Sequence, residues 1–222
     1  MPILLLAEHN NIKLQSSTLN CITAAMKINN DLHVLLVGYE NDSVANELAS
    51  IPQIKKVLQL NSFEFGNQLA ESVAPVIINI ADQYSHILAP ATTFGKNIMP
   101  RVAAILDISQ VSDIIKIENE DTFIRPIYAG NALATIQSTD AKKIITIRPT
   151  SFDPAPISGG NATIEKITSH EKQTKSKFIK REESKSERPE LSTARVVISG
   201  GRGLQSSENF VQSFLYNHQI YL

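Results

Sequence analysis

Four short apolar runs constrain this chain more than any other feature: Ile3–Ala7, Leu32–Val37, Val57–Leu60 and His86–Ala89. Each is nearly continuous in hydrophobic residues. A strand with one face in water alternates apolar and polar positions, whereas a strand covered on both faces does not, so these runs predict a parallel sheet sandwiched by helices. The intervening segments carry helical spacing. Leu19, Ile22 and Met26 fall at i, i+3 and i+7; Leu69, Val73, Val76 and Ile80 form a longer stripe, in which Pro75 is expected to kink or split the helix. Met99, Val102, Ala103 and Leu106 repeat the pattern, with Pro100 expected near the helix start, where proline is tolerated. Alternation of this kind predicts βαβ units with right-handed crossovers.

The pattern then changes. Ile114–Ile117, Phe123–Tyr128, Ala132–Ile136 and Ile144–Ile147 read as strands with short connections, and Glu118–Asp121 as a hairpin turn. The expected fold is α/β, a doubly wound, mostly parallel sheet with an antiparallel extension over residues 1–150. Residues 151–193 read as a solvated, charged connector with an exposed strand near Phe178–Ile179, and a boundary falls near Leu191. A new strand, Arg195–Ser199, opens the last segment, 194–222.

Composition narrows the function classes. With 42% hydrophobic and 19% charged residues among 222, the chain can bury a sizeable core and is not disordered overall. A formal net charge of -1, with both signs interleaved, lacks the electrostatic footprint of a nucleic-acid binder. Cys21 is the sole cysteine, so no internal disulfide forms. The apolar N-terminal run is too short for a membrane span and lacks the basic region and cleavage site of a secretory signal. A cytoplasmic protein, or the mature form of an organellar one, is expected.

Three glycine motifs invite a nucleotide reading. "APATTFGKN" (Ala89–Asn97) places Gly-Lys between a strand and a helix, but Pro90 stands where a P-loop needs its first glycine. Asn97 stands where it needs Ser or Thr. Gly95 and Lys96 are therefore expected to be structural. "SGGNAT" (Ser158–Thr163) lacks both the aspartate of a pyrophosphate loop and a preceding strand, and "SGGRGL" (Ser199–Leu204) has Gly203 and Leu204 where Asp and Ser are required. Counted from Gly201, Ser206 occupies the third glycine position of the dinucleotide fingerprint. Even so, "VVISGGRGLQSSENF" combines what a phosphate-bearing cofactor needs. Its glycines admit close backbone approach, Ser206 or Ser207 can cap a helix, and Arg202 offers a fork of donors. An ordinary tight turn is the competing reading.

The remaining candidates are structural by expectation. His9, His33, His86, His170 and His218 show no ligand spacing, although His9 follows Glu8 at the end of the first strand, where doubly wound sheets bind ligands. Cys21 lies in a helical pattern without a histidine or carboxylate beside it. No serine-nucleophile elbow and no metal-ligand cluster stand out.

Several stretches together resemble one family, the α subunit of electron transfer flavoprotein. They are "LLLAEHNN" (Leu4–Asn11), "LAPATTFGKNIMPRVAAILDISQVSDI" (Leu88–Ile114), "DTFIRPIYAGNALATIQS" (Asp121–Ser138), "SKSERPEL" (Ser184–Leu191) and "ARVVISGGRGLQSSENF" (Ala194–Phe210), in the family's order. The resemblance implies an N-terminal α/β domain followed by a domain that binds FAD. Arg202 would lie in the FAD site, with Gly201 and Gly203 shaping the same loop. It also implies a heterodimer with a β subunit, which in many members carries AMP. The assembled carrier takes electrons from flavin dehydrogenases to a quinone reductase of the respiratory chain, without substrate turnover of its own. The family continues beyond this point with further flavin-domain stretches, which this sequence lacks. The resemblance therefore implies a truncated flavin domain, reduced to its first βα unit and deficient in FAD binding. The alternative is a non-redox module that docks on a β subunit. A third reading, an adenylating or hydrolysing enzyme, conflicts with the missing Walker and pyrophosphate-loop residues.

Overall fold

The computed structural model describes residues 1–168, 176–180, 182, 197 and 199–209. Two compact units divide it, Met1–Ile179 and Lys180–Leu222. The first is a doubly wound α/β domain. Its strands are β1 (Ile3–Leu6), β2 (Leu32–Gly38), β3 (Ile54–Asn61), β4 (His86–Pro90), β5 (Gln110–Ile114), β6 (Lys116–Ile117), β7 (Thr122–Ile127), β8 (Ala132–Gln137), β9 (Lys143–Ile147) and β10 (Thr163–Lys166). The helices are α1 (Ser16–Ala25), α2 (Asp42–Ala49), α3 (Ala70–Ile80) and α4 (Thr93–Leu106). Seven strands make one sheet in the order β10-β3-β2-β1-β4-β9-β5, and every pairing in it is parallel.

The continuous apolar runs are buried on both sheet faces, as their composition requires. Along β1, Ile3 and Leu5 turn to one face, against Cys21, Ile22 and Ala25 of α1 and Val44, Ala45 and Leu48 of α2. Leu4 and Leu6 turn to the other, against Val73, Ala74 and Ile77 of α3 and Ile98, Met99 and Val102 of α4. All four β1 side chains are essentially inaccessible to water. Burying one such Leu or Ile contributes roughly 1.5–3 kcal/mol, so this strand anchors both halves of the core. Strand order reverses between β1 and β4, the position where open α/β sheets form a crevice at their carboxyl ends.

The antiparallel strands are present as a three-stranded sheet of their own, β6-β7-β8, rather than as a continuation of the seven. The stretch expected as one strand over Ile114–Ile117 is a junction. β5 ends at Ile114, and β6 begins two residues later in the other sheet. After that excursion β9 returns to lie between β4 and β5. Phe123 of β7, fully buried, ties the small sheet to the core alongside Val111, Ile114 and Ile147.

Both prolines are accommodated within helices. α3 runs through Pro75 as one helix, and α4 begins at Thr93, so Pro100 lies well inside it rather than near its start. A helical proline removes one bond to the carbonyl four residues earlier. Here those carbonyls belong to Glu71, only partly buried, and Lys96, exposed, so the loss falls on the watery side of each helix.

Candidate functional site

The carboxyl ends of the parallel strands carry two polar constellations. The first stands over β1, β2 and β4. Glu8 follows β1, and its Oε2 accepts hydrogen bonds from Ser17 Oγ at 2.6 Å and Thr92 Oγ1 at 3.0 Å. Thr18 Oγ1 meets both the Glu8 amide, at 2.9 Å, and its carbonyl, at 3.2 Å. Thr92 is the N-cap of α4, yet its side chain makes no capping bond and donates to Glu8 instead. One carboxylate thus joins the starts of α1 and α4 across the strand-order reversal.

His9 lies beneath. The Asn11 amide donates to its Nδ1 at 2.9 Å, so Nε2 carries the proton and donates to the Val37 carbonyl at 3.1 Å. Burial pushes its pKa down to about 4, against the opposing pull of the Val37 carbonyl. This is a neutral structural imidazole whose two nitrogens are both used. His33 contacts the Tyr84 hydroxyl at 3.0 Å, and His86, buried in β4, bonds the Glu120 carbonyl at 2.6 Å. His170 and His218 lie outside the described residues. Burial and then the charge of Glu8 push the Cys21 thiol pKa well up, which leaves no reactive thiolate. Among the described residues no group of His, Cys, Asp and Glu is placed to hold a metal ion. Nor is any helix there long and apolar enough to cross a membrane.

The second constellation stands over β4, β9 and β5. Arg148, just past β9, donates its Nε to Asp113 Oδ1 at 3.1 Å and its Nη2 to Oδ2, a two-point pair. Asp113 occupies a β5 irregularity at φ +59°, and its amide donates to the buried Thr146 Oγ1 at 2.9 Å. The hydrogen bonds from Arg148 hold the Asp113 carboxyl below the usual carboxylate range, against the opposing effect of partial burial. The charges of Arg148, Lys96 and Arg125 act in the same direction. Sequence reading missed this group. Its members lie far apart along the chain, and only the β9 insertion brings Arg148 beside Asp113.

The glycine motifs separate by their surroundings. A Cβ on Gly95 would stand 1.9 Å from the Pro90 carbonyl oxygen, so this glycine lets α4 start tightly against the end of β4. The structural reading of Gly95 holds. A Cβ on Gly160, in the other Ser-Gly-Gly, would stand 2.5 Å from the Ile51 backbone. This is a packing turn leading into β10, a strand that lies inside the stretch read as a connector. Gly201 and Gly203 differ: among the described residues nothing lies within 4 Å of a Cβ built on either, so no described neighbour demands glycine there. Residues Arg202–Leu204 form a short 3-10 turn with an exposed Arg202. Ser206 Oγ then accepts from the Asn209 amide at 3.2 Å, the expected cap on a helical segment beginning at Ser207. The expected strand Arg195–Ser199 lies largely outside the described residues, and Phe178–Ile179 form no strand.

Parallel strands flanked by two helix layers, with polar groups gathered at their carboxyl ends, define a doubly wound α/β protein. The family model for the electron transfer flavoprotein domain matches residues 3–172. The chain is 49% identical over 210 residues to the electron transfer flavoprotein subunit alpha of Pseudomonas aeruginosa, covering 95% of this chain and 68% of that protein. It is 44% identical over 226 residues to the mitochondrial subunit alpha of Dictyostelium discoideum, covering 93% and 63%. With the subunit alpha of Paracoccus denitrificans it shares 45% over 210 residues, covering 95% and 68%. The chain therefore belongs to the electron transfer flavoprotein family, in its α-subunit line, and spans about two thirds of the length of these relatives.

Proposed function

We propose that the chain acts as the α side of an electron carrier, pairing with a β subunit and contributing the loop Gly201-Arg202-Gly203 to an FAD site. The observation that carries this reading is the close relationship to proteins named as subunit alpha across nearly the whole chain. The loop's chemistry supports it. Two glycines with no described neighbour beside them, an exposed guanidinium and a capped helix start suit a cofactor with a pyrophosphate. Residues from about 194 onward belong, in this proposal, to the flavin domain, and 151–193 to the connection leading to it. FAD would supply the redox chemistry; Arg202 would hold a phosphate or the electron-rich ring. Electrons would arrive from flavin dehydrogenases and leave to a quinone reductase, with AMP in the β partner and none in this chain. The setting is the bacterial cytoplasm or the mitochondrial matrix.

The same open loop argues that the chain alone holds FAD weakly, since closing a cofactor site needs walls from several segments. A second reading follows, in which the N-terminal domain docks a β subunit without redox work. The test is a visible absorption spectrum after gel filtration, of the chain alone and co-expressed with a β subunit. The carrier reading expects a colourless chain and a flavin band in the heterodimer, reduced roughly tenfold in FAD affinity by Arg202→Ala. A stable colourless heterodimer supports docking. Failure to form any heterodimer defeats both.

A further inference from the structure

The Asp113 constellation holds more positive charge than it uses. Three cations, Arg148, Arg125 and Lys96, act on one carboxylate. Arg148 is held by Asp113 along one edge through two hydrogen bonds. Arg125 differs: its Nε is buried and has no hydrogen-bond partner among the described residues. It lies on β7 two residues from the buried Phe123, on the same strand face, and so turns toward the body of the domain. Lys96 stands in the first turns of α4 and is exposed, with no ion-pair partner among the described residues. A buried guanidinium donor without an acceptor is disfavoured, and native proteins supply a partner for such groups.

The elements that bring these groups together are the carboxyl ends of neighbouring parallel strands. Pro90 of β4 pairs with Ile147 of β9, Ile147 pairs with Ile114 of β5, and the Ala91 amide donates to the Ile147 carbonyl at 2.7 Å. Doubly wound domains place their ligands at this edge. Lys96 and the start of α4 come from β4, Arg148 from β9, Asp113 from β5, and Arg125 from the small sheet.

We propose that Arg125 and Lys96, with Arg148 held in place by Asp113, form a seat for the phosphate group of a small molecule. The excess of two positive charges matches a phosphate dianion better than a single carboxylate. Asp113 is the positioning residue: its two-point grip fixes the Arg148 guanidinium plane and leaves that residue's other edge for the ligand. All four residues belong to the first compact unit, Met1–Ile179.

The test titrates inorganic phosphate into the full chain at constant ionic strength, following the side-chain Nε–H resonances of arginine by NMR. The expected result is a saturable shift of the Arg125 Nε–H, with phosphate binding weakened roughly tenfold by Arg125→Gln and by Lys96→Gln. Arg101→Gln, which removes a surface cation outside the group, should leave binding unchanged. Lys96 is exposed, so its variant carries the test if Arg125→Gln does not fold. Three results would overturn the proposal. One is shifts that chloride or acetate reproduces at equal concentration. Another is unchanged phosphate binding in the Lys96→Gln chain, and the third is no saturable shift at all.

Discussion

Thr92 Oγ1 donates to Glu8 Oε2 at 3.0 Å, although the two residues stand 84 positions apart. The bond closes the strand-order reversal from above, joining the end of β1 to the start of α4, while Ser17 joins α1 to the same oxygen. Open α/β sheets bind ligands in the crevice at such a reversal; here a carboxylate of the protein itself takes the Ser17 and Thr92 hydroxyls.

Removing that carboxylate should loosen both helix starts. Hydrogen bonds to a charged group contribute about 1.5–3 kcal/mol each when well shielded, and these are only partly buried. Glu8→Ala is therefore expected to cost about 2 kcal/mol in urea denaturation, and Glu8→Gln, which keeps an acceptor, about half as much. Unchanged midpoints in both variants would show that the hydroxyls find equal partners in water.

His9 makes a prediction about pH. Its folded-state pKa is depressed to about 4 by burial, below the ordinary 6.5. The unfolded chain then binds more protons between those values, so stability is fully present above pH 6.5 and falls as the pH drops toward 4. The shift corresponds to at most roughly 3 kcal/mol over that window. His33 and His86 are lowered as well, first by burial, so the wild-type slope is a sum. The difference between wild type and His9→Gln isolates one member. Thermal midpoints measured from pH 7.5 to 4 should converge for the two proteins as the pH falls. Parallel curves would mean that His9 keeps its ordinary pKa in the folded state.

Gly95 can be tested by adding one methyl group. Its Cβ would lie 1.9 Å from the Pro90 carbonyl oxygen, a backbone atom of a buried strand that cannot swing aside. Overpacking typically costs about 1–3 kcal/mol, and Gly95→Ala should fall at or above the upper end. Gly203→Ala, with nothing among the described residues within 4 Å of its Cβ, should leave unfolding of the chain unchanged within about 0.5 kcal/mol. Equal destabilisation by both would contradict the distinction between a packing glycine and a loop glycine.

The double-sided burial of β1 to β4 was legible because continuous apolar runs have no other stable placement, and α1, α3 and α4 followed from their stripes. α2 was not seen: Val44, Ala45 and Leu48 are its only buried positions, too few to set a period. β10 was missed for the opposite reason. Only Ile164 of its four residues is even partly buried, since the strand lies at the sheet edge beside β3 and its other side chains meet water. The Ser-Gly-Gly loop before Arg202 and the serine cap were legible as local chemistry. The Arg148–Asp113 pair was not, because no local pattern announces that β9 will enter between β4 and β5. Nor does sequence announce that Asp113 will adopt a left-handed conformation.

That conformation yields a last prediction. A non-glycine residue at φ +59° carries a steric penalty of about 1–2 kcal/mol, less for Asp than for alanine. Asp113 tolerates it because Arg148 grips its carboxylate and Thr146 accepts its amide. Asp113→Ala loses the ion pair and keeps the penalty, whereas Asp113→Gly loses the ion pair and sheds it. At most strand positions alanine is the more stable of the two, by about 0.5–1 kcal/mol. Here the order should reverse, with the Gly variant at least as stable as the Ala variant in urea denaturation. Arg148→Lys keeps the charge but not the two-point grip, and with the guanidinium partly in water it should cost only about 1 kcal/mol. If alanine is instead the better replacement at position 113, the backbone there relaxes once Arg148 lets go, and the irregularity in β5 is a consequence of the ion pair rather than its scaffold.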